Sequence, residues 1–142
     1  MDSFNIFCLI SFMTACLSQS DWSNNVKSGD VLIANLDPSQ GDEMGKRRPV
    51  VVIQNDAITA LNLQTFVVAP LSTKMHLRPI EHDLGIKLVR IQKRDKLKDD
   101  SVILSDQIRS ISVARFDQPH TILTTLTILE KNLLRESIDR IL

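Results

Sequence analysis

The chain has 142 residues, 43% hydrophobic and 24% charged, which fits one globular domain with a modest core. Seventeen basic and seventeen acidic side chains give a formal net charge of zero, which excludes a surface that is basic throughout; a positive groove must come from local clustering. Aromatics total 4% with no tyrosine, and beyond residue 22 only Phe66 and Phe116 remain, too few rings for reading a single-stranded nucleic acid by base stacking.

The first element is an apolar run at residues 6–17, followed by polar Ser18-Gln19-Ser20-Asp21. It is shorter than the roughly 20 apolar residues that a membrane-spanning helix needs. Its length fits the apolar region of a signal peptide, and Thr14-Ala15-Cys16 faintly echoes a lipoprotein cleavage site. The stretch before it, however, holds Asp2 and no Lys or Arg, the wrong sign for secretion. Both cysteines, Cys8 and Cys16, lie inside this run and none lies beyond it. A disulfide framework is therefore not expected, and a reduced, cytoplasmic interior is the simpler reading. Residues 1–27 are read as an extension, disordered or packed, or as the product of an upstream start, with Met13 as a later one. A lipoprotein acylated at Cys16 is the competing expectation.

The domain proper is placed at residues 28–142. Residues 31–36 read as an apolar strand closed by the turn signal Asp37-Pro38. A polar loop with Gly41 and Gly45 follows, and residues 49–54 form a β-branched run typical of a buried strand. Asn55 or Asp56 is placed to cap a helical turn over residues 57–61. Residues 65–71 read as the next strand, and Pro79 and Gly85 mark the connection after it as irregular. Ile86, Leu88 and Ile91 suggest a further strand, residues 93–100 an exposed charged loop, and residues 101–104 and 108–111 two more strands. Thr127-Ile128-Leu129-Glu130 has the form of a capping box, with Leu129, Leu133, Ile138 and Ile141 expected on the helical face that meets the sheet. Strands first and one long helix last predict a mainly β, α+β domain: a small twisted antiparallel sheet or half-open barrel with a terminal helix.

The most informative stretch runs from Asp37 through Gly45-Lys46-Arg47-Arg48-Pro49 into Val50-Val51-Val52-Ile53. Pro49 fixes its own φ and biases Arg48 toward an extended conformation, setting it at the rim of a sheet. A guanidinium held there beside two further cations offers paired donors to phosphate oxygens; the plain alternative is a solvated hairpin tip. No metal-ligand spacing, glycine-rich phosphate loop or Gly-x-Ser-x-Gly elbow occurs, so neither a metal nor a cofactor is expected. His76, His82 and His120 are read as loop residues.

Four pieces in order carry a family resemblance: Gly29-Asp30-Val31-Leu32-Ile33-Ala34-Asn35-Leu36-Asp37-Pro38; Pro49-Val50-Val51-Val52-Ile53-Gln54-Asn55-Asp56; Val67-Val68-Ala69-Pro70-Leu71-Ser72-Thr73; and Asp100-Ser101-Val102-Ile103-Leu104-Ser105-Asp106-Gln107-Ile108-Arg109-Ser110-Ile111. With these the chain resembles the MazF/PemK (Kid) family of toxin endoribonucleases from type II toxin–antitoxin pairs, from about Ser28 to the C-terminus. The resemblance implies an SH3-like barrel that pairs into a homodimer, and metal-independent, sequence-selective cutting of single-stranded messenger (or ribosomal) RNA to 2′,3′-cyclic phosphate and 5′-hydroxyl ends. It also implies a cognate antitoxin, and operator DNA as a ligand of the toxin–antitoxin complex. Carried over by position, the family's catalytic pair becomes Arg48 and Ser72, a serine where threonine is usual, with Thr73 able to substitute. Lys46 and Arg47 are expected to add phosphate contacts. Gln107 is read either as contacting a base edge or as closing a strand end, and Arg109 as pairing with Asp106 or an acidic neighbour. The alternative within the same shape is a non-catalytic toxin that poisons gyrase, or a nucleic-acid-binding corepressor.

Overall fold

The computed structural model describes residues 25–142. The apolar run at residues 6–17, with the export and later-start readings attached to it, lies outside the described residues.

Among the described residues the backbone forms β1 (Asp30–Asn35), β2 (Arg47–Val52), α1 (Asp56–Thr59), β3 (Thr65–Ser72), α2 (Pro79–His82), β4 (Arg90–Ile91), β5 (Ser101–Ile103), β6 (Arg109–Ser112), β7 (Thr124–Thr125) and α3 (Ile128–Ile141). The strand order is β4-β5-β3-β2-β1-β7, with β6 also on β3, and every pairing is antiparallel. β3 sits at the centre of the topology. One edge carries β2; the other is divided between β6, opposite residues 65–68, and β5, opposite residues 71–72. The chain after β6 returns to the free edge of β1 through an Ala34–Phe116 bridge, which curls the sheet into a half-barrel. Phe66 and Phe116 meet edge to face inside the curl, with centroids 5.6 Å apart.

The sheet separates two apolar layers. Leu32, Ala34, Val50, Val52, Phe66, Val68 and Ile111 fill the concave side. Val31, Val51, Ala69, Leu71 and Ile103 face the other way, where Leu126, Leu134 and Ile138 of the C-terminal segment cover them. This alternation along each strand is what lets a short sheet bury both faces. A third cluster, Leu88, Val102 and Leu104, extends the concave side past the end of β3, and Met44 and Ile80 pack on it.

The half-barrel with a terminal helix is the architecture expected from the element order, but several details differ. The helical turn after β2 is capped by the Asn55 side chain, which accepts from the Ala57 N–H at 2.8 Å, and it ends at Thr59 rather than Leu61. The strand anticipated around Ile86–Ile91 shrinks to two residues, and the connection before it contains the short helix α2. Residues 93–100 are not simply an exposed loop: Leu97 is buried, and Arg94 donates two hydrogen bonds to Glu130. β7, only two residues long and polar, was not anticipated. In α3 the capping box forms as expected, with Thr127 Oγ1 accepting from the Glu130 N–H at 3.2 Å. The buried side of the helix is Leu134 and Ser137, whereas Leu129 and Leu133 are exposed. The difference has a physical reason: Ser137 donates to Ser105 at 2.8 Å, which turns the face bearing Ser137 and Leu134 inward and leaves Leu129 and Leu133 exposed.

Candidate active site

β2 and β3 pair with Val50 opposite Pro70 and Val52 opposite Val68. The ladder ends at Val50–Pro70, and Arg48 and Ser72 lie two residues beyond it, at the open end of the two strands. Residues two apart along a strand point to the same face. Arg48 and Ser72 therefore share the concave face, in line with Val50 and Val68. β6 adds Arg109 to that face, opposite Val68.

Each group is held by its surroundings. Arg48 is half-buried, and its Nε donates to the Gly45 carbonyl oxygen at 2.7 Å. That contact uses the inner edge of the guanidinium and leaves its terminal nitrogens to reach outward. Burial first, and then the positive charge of Arg78, push the Arg48 guanidinium below its ordinary value, against a smaller opposite effect of Asp37. Ser72 is buried; its Oγ accepts from the Lys74 N–H at 3.2 Å, which leaves the hydroxyl proton to donate.

The other expected site residues divide between the two faces. Gln107 lines a cavity of about 260 Å³ on the concave side, with Glu43, Met44, Pro70, Asp106, Ile108 and Arg109. Arg47 and Thr73 line a different hollow, together with Ile33, Pro49, Lys96 and Lys98. Arg47 is committed to Asp117 through both its Nε, at 2.9 Å, and its Nη2. Lys46 is exposed, takes a left-handed backbone conformation (φ 67°) and donates its N–H to Asp37 Oδ1 at 2.7 Å. The ion pair anticipated for Arg109 does not form among the described residues, and its Nη1 is buried without a partner. Arg78 was not anticipated. It precedes α2, and its Nε is likewise buried without a partner. His82 Nδ1 lies 2.8 Å from Asp83 Oδ1 on the surface. No group of three His, Cys, Asp or Glu side chains stands close enough to hold a metal ion among the described residues.

A curled antiparallel sheet, helix-covered on one side and with arginines gathered at the open end of the other, defines a small half-barrel protein with a cationic rim. The family model of the PemK-like, MazF-like toxins of type II toxin–antitoxin systems matches residues 27–138. The chain belongs to that family. It is 36% identical over 105 residues to the endoribonuclease MazF of Staphylococcus epidermidis, covering 74% of this chain and 83% of that protein. Among solved structures it is similar in fold to MazF from Deinococcus radiodurans, with a TM-score of 0.61 at 19% identity over 81% of this chain and 94% of that one. A MazE–MazF structure from the same organism gives a TM-score of 0.55 at 20% identity, over 82% and 91% of the two chains. No helix among the described residues is long and apolar enough to cross a membrane.

Proposed function

We propose that the protein is the toxin of a toxin–antitoxin pair and acts as a metal-independent, sequence-selective endoribonuclease on single-stranded messenger RNA in the cytoplasm. One feature supports the reading: Arg48 and Ser72 lie on the same face of adjoining strands, two residues beyond the last paired positions at their open end. The relative named as an endoribonuclease agrees with it.

The substrate's 2′-oxygen attacks the neighbouring phosphorus and gives up its proton, a pentacoordinate phosphorane forms, and the bond to the 5′-oxygen breaks as that oxygen takes a proton. The products are a 2′,3′-cyclic phosphate and a 5′-hydroxyl. Arg48 binds the phosphate through the nitrogens that Gly45 leaves free, and stabilises the charge that grows in the transition state. Ser72 orients the attacking or leaving oxygen with its hydroxyl. Thr73, which lines the opposite hollow, is less suited to that part. Gln107, with donors and an acceptor in the neighbouring cavity, meets a base edge. Lys46 adds a contact to the RNA backbone; Arg47 does so only by giving up Asp117. A second copy completes the RNA groove, and a short antitoxin covers it; the MazE–MazF structure is the precedent for such a partner.

The test is incubation of purified protein with RNA in excess EDTA. Cutting is expected to persist, and Arg48→Ala is expected to slow it by about 10²-fold or more while the fold is retained. RNA left intact by the wild type, beside stalled gyrase, would favour the gyrase-poison alternative.

A further inference from the structure

We propose that Arg78 is a second cation of this site, and that it and Arg48 together grip the scissile phosphate as it becomes doubly charged. The inference rests on the nuclease reading above and adds a residue to it.

The packing places Arg78 beside the site. Val102 is the cross-strand partner of Ser72. It belongs to the cluster with Leu88 and Leu104, on which both Met44 and Ile80 pack. Met44 precedes Gly45, whose carbonyl anchors Arg48, and Ile80 lies two residues after Arg78. One apolar cluster thus draws both arginines to the end of β3. The downward push on Arg48 from Arg78's charge reports the same proximity.

Among the described residues no acid pairs with the side chain of Arg78. Its Nε is buried and makes no hydrogen bond. Glu81 is the nearest acid along the chain. It accepts only the backbone N–H of Arg78, at 3.2 Å, while Arg90 holds both its oxygens at 2.7 and 2.8 Å. Asp37 is engaged by the Lys46 N–H. Two neighbouring guanidinium groups repel each other more than Asp37 offsets at Arg48, and a buried, unpaired donor is costly. A bound anion relieves both.

Charge matching says when in the reaction this happens. A phosphodiester carries one negative charge and the phosphorane two, so a pair of cations is better matched to the transition state than to the substrate. Interactions stronger in the transition state than in the ground state raise kcat rather than lower KM.

The experiment uses the full chain with Arg78→Gln and Arg78→Lys, each checked by thermal melting, in single-turnover cleavage of a transcript that the wild type cuts. Arg78→Gln is expected to slow cleavage by about 10²-fold. Its affinity for a 2′-O-methyl copy of the same transcript should stay within about threefold of wild type. Arg78→Lys should recover part of the rate, because charge returns without the planar fork. A rate for Arg78→Gln within threefold of wild type, or a loss seen wholly in affinity, overturns the proposal. If the wild type cuts no RNA, the nuclease reading fails instead, and calorimetric titration with inorganic phosphate at pH 8 decides about the pair. Binding by the wild type that is lost in both Arg48→Gln and Arg78→Gln retains Arg78 as an anion ligand. No binding, or binding unchanged in Arg78→Gln, removes it.

Discussion

Glu81 decides how firmly the second arginine's backbone is placed, and its own charge is unusually secure. Both its oxygens accept from Arg90, and its side chain is only 6% exposed. These bonds, against the opposing effect of burial, hold the carboxyl down to about 2, well below its usual 4.5. A carboxylate whose folded value is depressed stabilises the native state fully above its unfolded value, near pH 4.5, and loses that contribution as pH falls through about 2. Replacing Glu81 with Gln keeps an acceptor for the Arg78 N–H but leaves Arg90 without its counter-charge. Glu81→Gln is therefore expected to cost about 1–3 kcal/mol at pH 7, and progressively less between pH 4.5 and pH 2. Urea unfolding of both proteins at pH 7 and at pH 2.5 checks this; a cost that does not shrink in acid contradicts the assignment.

At the scale of elements, legibility depended on how much of each segment's fate was local. β2 and β3 were readable because Val50-Val51-Val52 and Val67-Val68-Ala69 are continuous apolar runs between turn signals, the pattern of strands buried on both faces. Arg48 was readable because Pro49 constrains it. β7 was not, because Thr124 and Thr125 pair with Val31 and Asp30 only through tertiary contact. Arg78 was not, because His76 to Pro79 shows no periodicity, and only the packing of Ile80 on the Leu88–Val102–Leu104 cluster turns it inward. Nor was the division of Arg47 from Arg48, since the partner of Arg47 lies seventy residues along the chain. The helix was readable in extent but not in rotation: Leu129 and Leu133 have the spacing of a buried stripe, yet the Ser105–Ser137 hydrogen bond and Leu134 set the inward face. Truncation of a leucine separates the two rotations. Leu134→Ala is expected to lower stability by about 2–4 kcal/mol, because it opens a cavity against Val31 and Val51. Leu129→Ala, at 68% exposed, should change it by less than about 0.5 kcal/mol. Equal losses in denaturant unfolding would falsify the observed rotation.

Over the whole molecule, a net charge of zero is compatible with gripping RNA because the arginines are sorted. Arg47, Arg90 and Arg94 are tied to Asp117, Glu81 and Glu130 and serve the fold. Arg48, Arg78 and Arg109, gathered on the concave side, have no carboxylate partner among the described residues. Attraction for a polyanion is then set by the few cations left unneutralised on one face, since exposed charges farther away than a Debye length of roughly 10 Å are screened in ordinary salt. Each phosphate neutralised on a single strand contributes about −0.7 to the slope of log affinity against log salt. Two ground-state guanidinium contacts, Arg48 and Arg109, predict a slope of about −1.4 for one protomer on an uncleavable 2′-O-methyl RNA, shallow compared with binders of high net charge. Replacing Arg109 with Gln should make it shallower by about 0.7, whereas Arg47→Gln should leave it almost unchanged, because Asp117 already neutralises that side chain. A slope that falls as much for Arg47→Gln as for Arg109→Gln would mean that the RNA passes over the Lys96–Lys98 hollow instead of the concave face.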